Sequence, residues 1–241
     1  MASRIIRIGT AGWSIPAVNR RQFAGAGSQL ERYARVLNAV EINSSFYRPH
    51  QRKTYEKWAA ATPADFRFAV KTPRQATQLQ RMRDPETVLG RFAEEVSGLG
   101  RKLGALLVQL PPSLKFEKPV AAEFFATLRA KLSAATACEP RHPSWFTPEV
   151  DHWLKSNRIA RVAADLAPVP GAGEPGGWRG LSYTRLHGSP RIYWSAYASP
   201  FLADIAKRLN AQTSSSWCIL DNTAQGHALG DVLALMGRVK G

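Results

Sequence analysis

The chain of 241 residues is 44% hydrophobic and 21% charged, enough apolar matter for one sizeable core and too much for a chain that stays disordered. Its 33 Lys and Arg against 18 Asp and Glu leave a net charge of +15, which favours anionic partners and names none of them. No run approaches the roughly 18 consecutive apolar residues of a membrane span, and Arg4 and Arg7 interrupt the short apolar start before a secretory core could form. The expectation is a cytoplasmic protein with no membrane partner.

The first β-like run, Ile5 to Thr10, ends in Gly9-Thr10-Ala11-Gly12, which lacks the spacing of a dinucleotide-binding loop. Leu30, Tyr33, Ala34 and Leu37 then fall at helical spacing ahead of a second run, Ala39 to Asn43, and a third follows at Phe66 to Lys71. Val88, Phe92, Val96 and Leu99 lead into Ala105 to Gln109. Phe124, Phe125, Leu128 and Leu132 lead into Thr136 to Glu139. Runs six and seven are Arg161 to Asp165 and Leu181 to His187. Between them Pro168 to Gly177, rich in Pro and Gly, reads as a flexible connection in place of a helix. Phe201, Leu202, Ile205 and Leu209 precede the eighth run, Trp217 to Asp221, and Ala228, Val232, Leu235 and Met236 form a last helix. Strands alternating with helices predict an α/β protein, a single (β/α)8 TIM barrel over residues 1–241 with an irregular unit between strands six and seven. An open doubly wound sheet is the competing arrangement.

Strand parity sorts the polar residues. Lys71 shares a face with Ala69 against Phe66, Phe68 and Val70, and Tyr183, Arg185 and His187 share one face of the seventh run. Glu41 and Asn43 oppose Val40 and Ile42, Gln109 opposes Val108, Glu139 opposes Cys138, Asp165 opposes Ala164 and Asp221 opposes Leu220. If the apolar faces meet the helices, this polar set points inward at the C-terminal strand ends, where barrel enzymes place their chemistry. A closed ion-pair lattice with no function is the alternative reading of the same residues. Trp13, Phe46, Tyr47, Trp145, Phe146, Tyr193, Trp194 and Tyr197 follow these strands, either as loop anchors or, beside Arg48, Arg141 and Arg191, as stacking faces for a base or sugar. Cys138 and Cys218 sit in apolar runs on strands five and eight, too far apart to bridge, and read as buried reduced thiols.

Six stretches carry a resemblance: Ile8-Gly9-Thr10-Ala11-Gly12-Trp13, Val40-Glu41-Ile42-Asn43-Ser44-Ser45-Phe46-Tyr47, Phe66-Arg67-Phe68-Ala69-Val70-Lys71, Gln109-Leu110-Pro111-Pro112-Ser113, Glu139-Pro140-Arg141-His142-Pro143-Ser144-Trp145 and Tyr183-Thr184-Arg185-Leu186-His187-Gly188. Together they resemble the YecE-like family, domain of unknown function 72. The resemblance implies a TIM barrel and leaves the activity open. Its motifs match at Glu41, Lys71, Glu139, Arg141, His142, Asp165, Arg185, His187 and Asn222. The family's eighth strand usually ends in two asparagines where Asp221 and Asn222 stand here, and a histidine often follows its lysine strand where Thr77 and Gln78 stand.

The leading functional expectation is an enzyme, a hydrolase, lyase or isomerase, acting on a phosphorylated or otherwise anionic small molecule. Lys71, Arg141 and Arg185 would clamp charge, and Glu41 or Glu139 with His187 would exchange protons, with Asp165 among the catalytic set. Trp13, Asn43, Tyr47, Gln109, His142, Trp145 and Asn222 would contact substrate. Lys71 and Arg185 on the same face disfavour a metal, so neither metal nor cofactor is expected. The alternative is a nucleic-acid-binding protein, with or without nuclease chemistry, whose basic first half tracks phosphates.

Overall fold

The computed structural model describes residues 5–239, so Arg4 lies outside the described residues. The strands are β1 (Ile6–Thr10), β2 (Ala39–Ile42), β3 (Arg67–Lys71), β4 (Leu103–Gln109), β5 (Ala135–Glu139), β6 (Ile159–Arg161), β7 (Ala163–Asp165), β8 (Gly176–Gly177), β9 (Leu181–Leu186) and β10 (Ser215–Leu220). The helices are α1 (Gln29–Ala34), α2 (Ser44–Tyr47), α3 (Arg52–Ala60), α4 (Pro85–Val96), α5 (Lys118–Lys131), α6 (Pro148–Ser156), α7 (Ser199–Ala211) and α8 (His227–Met236). All eight expected strands are present, with the sixth divided into β6 and β7. Three helices were not expected. In α3 and α6 the buried residues are few, Tyr55 in one and Val150 and Leu154 in the other, too sparse a stripe for periodicity to register.

The ladders do not close into a ring. They form a six-stranded sheet, β2-β3-β4-β5-β6-β8, and a four-stranded sheet, β1-β10-β9-β7, parallel throughout except where β8 runs antiparallel to β6. At one junction β6 has β5 on one edge and β8 on the other, so β9 pairs with the continuation β7, Ala163 lying opposite Thr184. The Pro- and Gly-rich segment thus ends in a short strand that occupies a sheet edge, and no helix forms in it. At the other junction side chains replace the ladder. Asn38 accepts from Ile8 N at 3.0 Å and donates to Ile6 O at 2.8 Å, while the Tyr33 hydroxyl accepts from Thr10 N at 2.9 Å and donates to Ala39 O at 3.1 Å. Gly9 makes this approach possible: a Cβ there would stand 2.1 Å from Ala39 O. Beyond these, Gly12 N donates to Glu41 O at 2.8 Å.

Two apolar cores follow from strand alternation. Outward residues such as Val40, Phe68, Val70, Leu106, Val108, Cys138 and Cys218 pack with the helices, and the two buried thiols are free. Inward, Ala39, Ala69, Ala105, Ala137 and Ala160 leave room that Tyr183 and Trp217 fill as a stacked pair, centroids 6.0 Å apart. Gly104 completes this fit, since a Cβ there would meet the Trp217 ring at 2.6 Å. Among the described residues no helix is long and apolar enough to cross a membrane.

Candidate functional site

The inward faces change character toward the strand ends. Two residues beyond Ala39, Ala69, Leu107, Ala137, Tyr183 and Ile219 stand Glu41, Lys71, Gln109, Glu139, Arg185 and Asp221, so the side-chain period of two carries each strand from apolar floor to polar rim. Arg185 is the node and is wholly buried. Its Nε and Nη2 donate to Glu41 at 3.1 and 2.7 Å, its Nη1 to Glu139 at 2.7 Å, and its Nη2 also to Asp221 at 3.0 Å. The Tyr183 hydroxyl donates to Glu41 Oε2 at 2.9 Å. Desolvation works against the guanidinium, but Glu41, Glu139 and Asp221 outweigh it and hold Arg185 well above its ordinary range.

Glu139 gathers further donors: Gln109 Nε2 at 2.9 Å, and Arg141 through Nε and Nη2 at 3.1 and 2.9 Å. Burial alone would raise its carboxyl, yet Arg185 and His187 bring it well below the usual range. Asp221 is lowered likewise, Arg185 and His187 outweighing desolvation. His187 lies between the two. Its Nδ1 is 3.1 Å from Asp221 Oδ2, and its Nε2 lies 3.3 Å from Glu139 Oε1 without the geometry of a hydrogen bond. Burial disfavours the charged ring, but Glu139 overcomes it and His187 titrates above the ordinary histidine value.

Lys71 is 4% exposed, and among the described residues no hydrogen-bond partner meets its Nζ, which rests 4.0 Å above the Phe46 ring. Ser45 fixes that ring's helix: its hydroxyl lies 2.7 Å from Lys71 O and 2.9 Å from Ile42 O. Burial, then Arg185, lower the Lys71 ammonium to about 8 against the pull of the carboxylates. A cavity of about 270 Å³ opens beside this cluster, with Glu139, Arg141 and His187 at its polar end and Pro112, Ala164, Leu166, Ala167, Pro168 and Ile192 elsewhere. Tyr193 packs edge-on to His187 at 5.8 Å.

Several expected site residues lie elsewhere. Asp165 does not join the cluster: with Ala164 on the inner face, Asp165 points outward and accepts from the Tyr197 hydroxyl at 2.8 Å. The break at Val162 shifts nothing in parity, and Asp165 is simply out of phase with Ala160 and Val162, which face inward. Trp145 is an anchor, 1% exposed, donating to Leu114 O at 2.9 Å. Trp13 packs edge-on to Trp58 at 5.0 Å, and His142 Nδ1 accepts from Ser144 N at 3.1 Å to cap the turn Pro143–Trp145. Asn222, wholly buried, donates to Ser195 O and Asp231 Oδ2 and secures the loop after β9. Asn43 precedes α2 with its Oδ1 unpartnered, while Tyr47, 72% exposed, lines a separate cavity of about 230 Å³ with Phe46, Arg48 and Arg74. Arg185 gives its donors to three carboxylates and offers no surface to an anion. Sequence reasoning left Leu166 and Ile192 out of the site, since they are loop residues whose placement no periodicity signals. Among the described residues no group of three or more His, Cys, Asp or Glu is set to hold a metal ion. The Arg185 guanidinium stands where Glu41, Glu139 and Asp221 converge.

The fold is shared with solved proteins: a DUF72 family protein of Enterococcus faecalis aligns with a TM-score of 0.80 at 22% identity, covering 98% of this chain and 95% of the other. One from Thermotoga maritima aligns at 0.77 and 23% identity, covering 97% and 98%. In sequence, UPF0759 protein YecE of Escherichia coli is 28% identical over 70% of this chain and 62% of its own length. UPF0759 protein YunF of Bacillus subtilis is 28% identical over 60% of this chain and 53% of its own. The match thus spans less than two thirds of either relative. The model of the family described as protein of unknown function DUF72 matches residues 7–241, and the chain belongs to that family.

Proposed function

We propose that the protein is an acid–base enzyme, of the hydrolase, lyase or isomerase kind, acting on a small phosphorylated or carboxylated substrate at the C-terminal ends of its strands. One observation carries this reading: the buried Nε2 of His187 makes no hydrogen bond, lying 3.3 Å from Glu139 Oε1, and His187 lines a cavity together with Glu139 and Arg141. A proton donor and acceptor beside a cation is what protonating or deprotonating a bound anion requires. Asp221 on Nδ1 orients the ring, leaving Nε2 to pass the proton. Lys71, titrating at about 8, supplies a second group that changes charge near neutrality. Glu41 and Arg185 act as positioning residues. The two sheets work as one (β/α)8 TIM barrel in this reading, supported by strand neighbours that run in chain order across both junctions. Buried free thiols support residence in the reducing cytoplasm.

The test is histidine-labelled NMR of the full chain titrated with inorganic phosphate, glycolate and small phosphorylated acids. His187 should shift on binding, and Arg141→Met should weaken affinity at least about tenfold, the worth of a charge-assisted hydrogen bond. No shift of His187 with any anion would sink the reading. A second reading, nucleic-acid binding, draws on Tyr47 beside Arg48 and on Trp194, whose ring lies 4.2 Å from the Arg191 guanidinium. Exposed aromatics next to arginines suit stacked bases. Single-stranded RNA or DNA binding that falls steeply with salt and depends on Tyr47, not His187, would favour it.

A further inference from the structure

We propose that the cavity beside His187 selects an amphipathic anion, a carboxylate or phosphate head carrying a short hydrocarbon arm. This rests on the anion reading above and narrows its substrate class. Two independent features lead there. His187 is 3% exposed and lines the cavity, and its buried Nε2 lies 3.3 Å from Glu139 Oε1 without forming a hydrogen bond. A contact that lacks hydrogen-bond geometry leaves the N–H able to turn to a ligand acceptor. Arg141 stands at the same end, hydrogen-bonded to Glu139, which also lines the cavity, and an anion would share its guanidinium with that carboxylate. The remaining walls are of a different kind: Pro112, Ala164, Leu166, Pro168 and Ile192 present apolar side chains.

Leu166 and Ile192 are 36% and 44% exposed, large apolar groups left uncovered at the cavity rim. A compact anion such as inorganic phosphate would satisfy His187 and Arg141 and leave these walls wet. A uniformly polar ligand would lose hydration against them with nothing in return. An apolar arm leaving the anionic head satisfies both ends, the usual design of a pocket with a few placed polar groups on apolar walls. The volume of about 270 Å³ equals that of about nine waters at ≈ 30 Å³ each, room for a head and roughly six carbons.

The experiment titrates the full chain with two homologous series, acetate to octanoate and methyl to hexyl phosphate, with the matching alkanols as uncharged controls. Affinity should rise roughly fourfold per methylene until the arm reaches about six carbons and then level off. The series with the tighter head identifies the source of the anion, and the alkanols should bind at least about tenfold more weakly. Ile192→Asn, on an exposed loop, should flatten the rise of affinity with chain length. Ala164→Leu, which fills the wall, should shorten the arm length at which affinity levels off. Short anions that bind with no gain from chain length would overturn the selectivity and leave the anion reading standing. Alkanols binding as tightly as the anions, or no binding in any series, would overturn both.

Discussion

Arg185 and Lys71 are the two inward cations of the cluster, and their surroundings give them opposite consequences. Arg185 meets three carboxylates, so removing it strands buried charge. Arg185→Met is expected to cost about 3–5 kcal/mol, or roughly 10 °C in melting temperature for a chain of this size. Thermal and urea denaturation check this, and a variant as stable as the wild type would mean the carboxylates are held by something else. Lys71 has only an aromatic face beneath it. Its fall from 10.5 to about 8 is a penalty of roughly 3 kcal/mol on the charged form, offset by ~1 kcal/mol of cation–π attraction. Lys71→Met should therefore stabilise the fold by about 2 kcal/mol below pH 8. The advantage should shrink above pH 8, where the folded protein accepts a neutral lysine, and vanish near 10.5, where the unfolded chain does too. An advantage that grows with pH would contradict the burial argument.

Among the elements, the junction between β1 and β2 is the unusual one, because Asn38 and Tyr33 carry hydrogen bonds that a ladder would otherwise supply. Tyr33→Phe keeps the packing against Phe23 and Phe66 but leaves Thr10 N and Ala39 O without the hydroxyl. Each buried group left unmade costs about 1–3 kcal/mol. With two such groups, urea denaturation should show a loss of about 2–6 kcal/mol, and amide exchange at Thr10 should accelerate selectively. Unchanged protection of Thr10 would show that the two strands do not depend on the tyrosine. In the sequence Tyr33 reads as a helix-face aromatic, and nothing in the pattern marks Asn38.

For the whole molecule, pH couples to stability through the cluster. His187 is raised, so its contribution is fully present below the unfolded value near 6.5 and is lost as pH climbs through its folded value. Glu139 and Asp221 are lowered, so theirs is present above the unfolded carboxylate values and is lost as pH falls through the folded ones. Asp231, raised by burial, works in the opposite direction to those two. Between the carboxylate and histidine limbs stability is expected to be greatest at about pH 4.5 to 6.5 and to decline as His187 loses its proton, a decline that His187→Gln should flatten; above pH 8 Lys71 works the other way, its penalty fading toward 10.5. Melting temperature against pH measures this; a decline between about pH 6.5 and 8 that persists unchanged in His187→Gln would be incompatible with a raised His187.

The strands, the parity of their faces and the inward set Glu41, Lys71, Gln109, Glu139, Arg185, His187 and Asp221 are legible in the residue pattern, because a period of two is a local property of the backbone. Also legible is that Cys138 and Cys218 stay unbridged, since both fall on outward positions of distant strands. Asp165 departs from this pattern: its polarity points inward, but Ala160, Val162 and Ala164 hold that face. Only the tertiary structure decided which inward groups are spent on one another. In the sequence Glu41 looks like a proton-transfer group and Arg185 like a clamp for an anion, but the two meet across 144 residues of chain, and mutual burial leaves nothing for a ligand. The cavity walls, likewise, come from loops after three different strands. Loops have no periodicity to read, so which of their side chains meet above His187 is fixed by packing alone.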